Sequence, residues 1–349
     1  MNNWQDCIVP PDMPVVEAMK IINSHDSRIV LVAGPNRELL GAVTDGDIRR
    51  GLLCGLPLSA SVLEVANTAP LTASPSDSKT HIRGLMESAQ IRQIPLIKED
   101  GQIVGLVLEG EVGRNVARNR NAWVMLMVGG QGKRLRPLTE NTPKPMLLVG
   151  NKPILETILE NLVEQGFRKF FLSVHYKADT NRSYFGDGEK WGVEIHYVTE
   201  QIPLGTAGAL TLLSERPPGP IVVMNGDLLT KVDFGHMLDF HKDQGAAATM
   251  GVREYDIEIE YGVVEIENDR IARLKEKPIH QFLVNAGIYI LEPNSFCDLP
   301  KNSHLDMPSL FQSLIDQKRK CAVYPIVEYW LDIGRLKDFE HAKNVIATL

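Results

Sequence analysis

From position 123 to 128 the chain reads Trp-Val-Met-Leu-Met-Val, with no polar residue. A short unbroken apolar run suits a strand buried on both faces, as in a parallel sheet covered by helices. Further strand-like runs lie at 170–174, 194–198, 221–224, 246–252 and 286–291. Between the early ones, apolar residues fall at helical spacing, as at 154–165. Strands alternating with helices predict an α/β fold with a mainly parallel sheet.

Ahead of Trp123 the pattern changes and repeats. A run at 29–32 leads through the turn Pro35-Asn36-Arg37 to 39–43, then to the break Thr44-Asp45-Gly46-Asp47. A second run at 94–97 leads through Glu99-Asp100-Gly101 to 103–108, then to Glu109-Gly110-Glu111. Each copy predicts a strand, a tight turn, a strand and a polar break that can start a helix. Each is preceded by helical apolar spacing, at Val15, Met19 and Ile22 and at Ile82, Leu85 and Met86. A repeat of this length is one supersecondary unit that buries its sheet against its twin. The stretch 114–122 is basic and Asn-rich without apolar periodicity, and reads as a linker. Its last residues, 119–122, are expected to separate a unit 1–118 from a unit 123–349. Arg114, Arg118 and Arg120 lack interleaved aromatics, which favours a solvated face over a nucleic-acid surface.

The chain has 349 residues, 44% hydrophobic and 23% charged, which excludes a disordered, collagen-like or disulfide-stapled chain. A net charge of -7 opposes general attraction to nucleic acid or an anionic membrane, yet leaves room for a local phosphate pocket. Cys7, Cys54, Cys297 and Cys321 are scattered, as expected of reduced thiols in a cytoplasmic protein. The N-terminal residues lack the basic and apolar regions of a signal peptide, and the longest apolar run, 122–128, is far short of a membrane span.

The first run of the second unit breaks into Gly129-Gly130-Gln131-Gly132-Lys133-Arg134-Leu135. A glycine-rich turn after a strand lets backbone N–H groups approach phosphate. The dinucleotide pattern G-x-G-x-x-G fails because Leu135 stands at the third glycine. The Walker pattern fails because Arg134 follows Lys133 and Met127 stands at the first glycine. What remains is a glycine loop with Lys133, Arg134 and, between two prolines, Lys144, a set of cations that suits a triphosphate.

Residues 1–118 resemble a tandem pair of CBS domains, the Bateman module that often binds an adenine nucleotide. In that family a Thr and an Asp three residues on contact ribose and phosphate. The first copy has both, Thr44 and Asp47, and the second has Leu108 and Glu111. The same Thr44 and Asp47 also read as a helix N-cap. A homo-oligomer is expected, because CBS pairs self-associate.

From Trp123 onward the chain resembles the sugar-1-phosphate nucleotidyltransferases, with their Rossmann-like sheet. The matching motifs are the loop 129–139, Pro143-Lys144-Pro145-Met146, the run 203–209 around Gly205, Gly226-Asp227, Glu276-Lys277-Pro278 with 285–289, and 330–334. The resemblance implies that a sugar-1-phosphate oxygen attacks the nucleotide α-phosphorus and pyrophosphate leaves. It implies Mg²⁺ on Asp227 and Asp332, and triphosphate held by Gly129, Gly130, Gly132 and Arg134. Lys144 would face the α-phosphate, Lys277 the sugar phosphate, and Glu276 and Asn285 the sugar hydroxyls.

Glu200 precedes the 203–209 turn. Guanylyl members of the family usually have Glu there, and uridylyl and thymidylyl members Gln. A carboxylate only accepts, and guanine offers two adjacent donors, so Glu200 implies GTP. The other reading has Glu200 facing solvent and Thr199 or backbone groups reading the base. The CBS–transferase combination resembles the glucosamine-1-phosphate guanylyltransferases of bacterial legionaminic acid synthesis. Mannose- or heptose-1-phosphate as acceptor, a uridylyl or thymidylyl transferase, and an inactive nucleotide sensor are the alternatives.

Overall fold

The computed structural model describes residues 4–25, 27–89, 91–112, 120–213, 216–296 and 299–345. The chain divides into two compact units, Met1–Ala117 and Arg118–Leu349.

In the first unit, strands Ile29–Ala33 and Leu39–Thr44 form an antiparallel hairpin, joined by Ile8–Val9. Its twin pairs Gln93–Ile97 with Ile103–Leu108. Ile29, Leu31, Ala33 and Ala42 of one copy share a core with Ile103 and Leu106 of the other. Their turns meet: Leu39 N–H donates to Gly101 O at 3.1 Å and Ile103 N–H to Arg37 O at 3.0 Å. Helix Val15–Ser24 buries Val15, Met19 and Ile22, the residues whose spacing predicts it. Helix Lys79–Ala89 buries Ile82 and Met86 in the second copy. The break after the first hairpin starts helix Asp45–Leu53, and the break after the second makes a single turn, Glu109–Glu111.

The second unit is built on a seven-stranded sheet. In spatial order its strands are Glu194–Thr199, Phe167–Val174, Arg120–Met127, Ile221–Asn225, Ile279–Leu291, Ala248–Glu258 and Cys321–Pro325. Neighbours run parallel, except that Ile279–Leu291 lies antiparallel to both of its own. The unbroken apolar runs follow from burial on two faces. Val124, Leu126 and Val128 enter one core, and Met125 between them enters the other. Helix Ile154–Glu164 covers the first face with Ile154, Ile158 and Leu162, and Met307–Asp316 covers the second with Met307, Leu310 and Leu314. Each such side chain contributes about 1.5–3 kcal/mol on burial.

The expected linker at 119–122 needs correction. Asn119 lies outside the described residues, and Arg120 already belongs to the first strand. Arg120 N–H donates to Gly166 O at 3.0 Å and its Nε to Gln165 O at 3.2 Å. These residues form the mouth of the strand, where side chains are only partly covered, so no apolar pattern marks them. Among the cysteines, Cys7, Cys54 and Cys321 are free thiols, and Cys297 lies outside the described residues. No helix among the described residues is long and apolar enough to cross a membrane.

His241 is fully buried, with Nδ1 2.8 Å from Thr249 Oγ1 and Nε2 3.3 Å from Glu292 Oε1. Burial holds its pKa below the ordinary 6.5. The unfolded chain therefore takes up the proton first as pH falls. The stability that neutral His241 supports is complete above about pH 6.5 and declines as pH drops toward the folded value. Melting temperature should fall between neutral and mildly acidic pH, and His241→Asn should flatten that slope. An unchanged slope in the variant would remove His241 as its cause.

Candidate active site

The central strand Arg120–Met127 ends at the glycine loop. Gly132 has φ +60°, and a Cβ there would stand 2.8 Å from Thr139 Cγ2. Thr139 Oγ1 donates to Gly132 O at 2.8 Å and pins the loop. Around Gly130 the space is open. The next strand, Ile221–Asn225, ends in Gly226-Asp227 against the same loop. Gly226 N–H donates to Met127 O at 2.9 Å, and a Cβ on Gly226 would lie 2.3 Å from Val128 Cγ1. Gly226→Ala therefore overpacks the junction of the two strands. It should destabilise the fold by about 1–3 kcal/mol, read as a lowered melting temperature, and a wild-type melt would contradict this packing.

Asp227 and Asp332 are far apart in sequence and adjacent in space. Strand Leu228–Thr230 pairs antiparallel with Trp330–Asp332, setting Leu228 opposite Asp332. Ile333 N–H donates to Asp227 O at 3.1 Å and closes the ladder. Lys144, buried in its proline-flanked turn, donates from Nζ to Asp227 Oδ2. The Oδ1 atoms of Asp227 and Asp332 are buried and have no hydrogen-bond partner among the described residues. Burial, then the charge of Asp227, pushes the Asp332 carboxyl above its ordinary pKa, while Lys144 and Arg134 pull it back. Arg134 is exposed. Its Nη1 and the Asp332 carboxylate both stand 3.7 Å from the point where a Cβ on Gly334 would sit.

Two crowded carboxylates with orphaned oxygens have the donor chemistry of a hard divalent cation such as Mg²⁺. No group of three or more His, Cys, Asp or Glu suited to a metal occurs among the described residues. A cation here would thus complete its shell with phosphate oxygens and water.

Glu200 is buried, not turned to solvent. Ser173 Oγ donates to its Oε1, and Leu204 N–H donates to its Oε2 at 2.8 Å. Its Oε1 lies 3.1 Å from where a Cβ on Gly129 would stand, which ties the carboxylate to the glycine loop. Just beyond, Gly205 packs on Leu305 and Asp306, and Thr206 N–H donates to Asp306 Oδ1 at 3.0 Å.

The remaining expected residues stand apart. Glu276 and Lys277 are exposed where a hairpin returns to the strand Ile279–Leu291, and no hydrogen bond or ion pair joins them to Lys144, Asp227 or Asp332 among the described residues. Asn285 is exposed and oriented by its own strand: Nδ2 donates to Tyr289 Oη at 2.8 Å and Oδ1 accepts Gly287 N–H at 2.9 Å, and each group has one further hydrogen-bonding position. The strand is irregular there, and Gly287, at φ +72°, lies against Asn225, the residue before Gly226-Asp227: a Cβ on it would stand 2.6 Å from Asn225 Nδ2. In the first unit, Asp47 Oδ2 accepts the Thr44 N–H at 2.8 Å and the Thr44 hydroxyl at 2.6 Å, and so caps helix Asp45–Leu53.

Ser173 and Asp306 are absent from the residues marked by sequence. Ser173 is the one polar side chain near the end of an otherwise apolar run, a signal that it has a buried partner. Asp306-Met307-Pro308 carries the N-cap and early proline of a helix start.

Residues 123–348 match the nucleotidyl transferase family, and residues 5–53 and 62–116 match the CBS domain. A mannose-1-phosphate guanyltransferase of Candida albicans is 35% identical over 228 residues, covering 62% of this chain and 62% of that protein. A mannose-1-phosphate guanylyltransferase of Mycobacterium tuberculosis is 34% identical over 224 residues, again 62% of each. The chain thus spans less than two thirds of the length of these curated relatives. HddC from Yersinia pseudotuberculosis, complexed with GMP-PN, shares the fold at a TM-score of 0.51 and 24% identity, over 64% of this chain and 99% of that one.

Proposed function

The chain belongs to the nucleotidyl transferase family, and from that premise we propose that it transfers GMP from GTP to a sugar 1-phosphate with release of pyrophosphate. The observation that carries this reading is the array of Lys144, Asp227 and Asp332 beside the glycine loop, with buried Glu200 at its other side. The backbone at Gly129, Gly130 and Gly132 and the exposed Arg134 receive the triphosphate. A divalent cation, Mg²⁺ in this reading, held by Asp227 and Asp332 would neutralise charge on the phosphates. Lys144, already fixed by Asp227, presents its ammonium where the α-phosphate crowds with the incoming phosphate. That attacking oxygen is ionised at neutral pH, so the protein need not remove a proton from it. Positioning and charge neutralisation supply the rate. Lys277 and Glu276, exposed just before the strand Ile279–Leu291, are proposed to meet the sugar phosphate and hydroxyls.

Glu200, held by Ser173 and Leu204, supports guanine as the base. For the sugar, the CBS–transferase architecture supports glucosamine 1-phosphate, within legionaminic acid synthesis. The names of the relatives support mannose 1-phosphate as the second reading. Thr44 and Asp47 are proposed to take an adenine nucleotide at the CBS pair, the Asp47 cap opening to the ligand, and so to regulate the transferase. The deciding assay follows pyrophosphate from purified protein with four nucleoside triphosphates and glucosamine, mannose and heptose 1-phosphates, with and without chelator. GTP with one of these sugars should give chelator-sensitive turnover, and no turnover with any pair would sink the proposal.

A further inference from the structure

The face of the sheet that holds Glu200 carries one more side chain with hydrogen-bonding capacity to spare. Ser173 lies opposite Val198 on the neighbouring parallel strand, and Phe171 and Val198 enter one core. Glu200 N–H donates to Val174 O at 3.0 Å, which carries the ladder one residue further. Side chains alternate along a strand, so His175 follows Phe171 and Ser173 on the face that Val198 and Glu200 share. There it stands against the glycine loop. A Cβ on Gly129 would lie 3.3 Å from His175 Cβ and 3.1 Å from Glu200 Oε1. The next two residues fix the backbone: Tyr176 Oη and Lys177 Nζ donate to Glu140 O at 3.1 Å and 2.8 Å.

His175 Nδ1 lies 2.9 Å from the backbone carbonyl oxygen of Glu200. A carbonyl only accepts, so Nδ1 carries the hydrogen. In the neutral ring Nε2 is then an acceptor, and it has no hydrogen-bond partner among the described residues. The ring is half-buried, held by one nitrogen and open at the other. A strut for the Glu200 backbone would use Nδ1 alone, and the idle Nε2 points to a ligand. Guanosine has donors to meet it. With Ser173 on Oε1 and Leu204 on Oε2, the Glu200 carboxylate keeps one acceptor position on each oxygen. These match guanine N1–H and one hydrogen of its 2-amino group, which leaves the second amino hydrogen and the ribose hydroxyls to find acceptors. A donor taken out of water without a partner weakens binding, so an acceptor fixed beside Glu200 adds both affinity and discrimination.

We propose that His175 is a second nucleoside-reading residue, its Nε2 accepting a hydrogen bond from the guanosine of GTP, given by the 2-amino group or by the ribose 2′-hydroxyl. The inference rests on the guanylyl reading above and adds a contact that Glu200 does not make. Kinetics of the full chain with GTP, ITP and dGTP test it, because ITP lacks the 2-amino group and dGTP the 2′-hydroxyl. His175→Asn keeps an N–H donor near Nδ1 for the Glu200 carbonyl and deletes Nε2. It should melt like the wild type and lose roughly three- to tenfold in kcat/KM for GTP, the worth of one neutral hydrogen bond. The analogue that already lacks the donor should lose nothing. A loss spared with ITP assigns the contact to the 2-amino group, and a loss spared with dGTP assigns it to the 2′-hydroxyl. In the wild type itself, the nitrogen NMR resonance of His175 Nε2 should move when GTP binds and stay with that same analogue, a readout that needs no variant. A wild type that rejects GTP with every sugar 1-phosphate overturns the guanylyl reading and this inference with it. A wild type that uses GTP, with a variant that loses equally for all three nucleotides or for none, overturns this inference alone and leaves His175 a strut for Glu200. An Nε2 resonance unmoved by GTP overturns it as well.

Discussion

Asp227→Asn should lower turnover at saturating Mg²⁺ by roughly three orders of magnitude or more while the fold survives. The side chain keeps its size, so the ladder of Leu228–Thr230 with Trp330–Asp332 has no reason to part. What changes is charge. An amide is a poor ligand for a hard cation, and a site that has only two carboxylates loses half of its anionic donors. Removing a metal's share of charge neutralisation costs several kcal/mol in the transition state, and each 1.4 kcal/mol is tenfold. Two further consequences follow from the geometry. Lys144 loses the partner that holds its Nζ in place. Asp332, whose pKa is raised first by burial and then by Asp227, should become more acidic. The variant should thus melt close to the wild type yet release almost no pyrophosphate. Near-normal turnover of the folded variant would remove the metal role from Asp227 and, with it, the mechanism built on Lys144, Asp227 and Asp332.

The α/β sheet is legible in the sequence because both faces of its central strands are covered. Every position of 124–126 must then be apolar, and the run stands out without periodicity. Where coverage stops, so does the signal. Arg120 and Asn121 are strand residues with polar side chains, and they read as linker because they lie at an open sheet end. The hairpin of Val263–Glu267 and Arg270–Lys275 inverts the problem: Ile266 and Leu274 alternate as a half-buried strand should, yet they are exposed. Of the candidate site, the glycines and charges are legible because phosphate chemistry asks for those residue types near a strand end. The hydrogen bonds that orient them are not. Ser173 reaches Glu200 across neighbouring strands, and Asp306 reaches Thr206 across about a hundred residues. Asn285 shows the converse: its amide is oriented by Gly287 and Tyr289, a partnership that no spacing announces.

Glu200→Gln is expected to change which base is used, more than how fast the best base reacts. Each oxygen of the Glu200 carboxylate has two acceptor positions. One on Oε1 is taken by the Ser173 hydroxyl and one on Oε2 by the Leu204 N–H. Two parallel acceptors remain, a match for the N1–H and N2–H₂ donors of guanine. In the glutamine, the amide NH₂ cannot face the Leu204 N–H, because two donors would meet. The carbonyl oxygen therefore turns to Leu204 and the NH₂ to Ser173, whose hydroxyl can accept. The edge left for the base becomes one acceptor and one donor, which fits the N3–H and carbonyl of uracil or thymine. Loss of a charge-assisted bond should cost GTP about 1.5–3 kcal/mol, or roughly 10- to 150-fold in kcat/KM. UTP and dTTP should lose less or gain. The measurement is the ratio of kcat/KM for GTP to that for UTP, in the wild type and in Glu200→Gln. A wild type that prefers UTP or dTTP would overturn the guanylyl assignment. A wild type that prefers GTP, with a ratio unmoved by the substitution, would leave the assignment standing and release Glu200 from it. The discrimination would then have to come from backbone groups of the glycine loop, which present the same donors whatever occupies position 200.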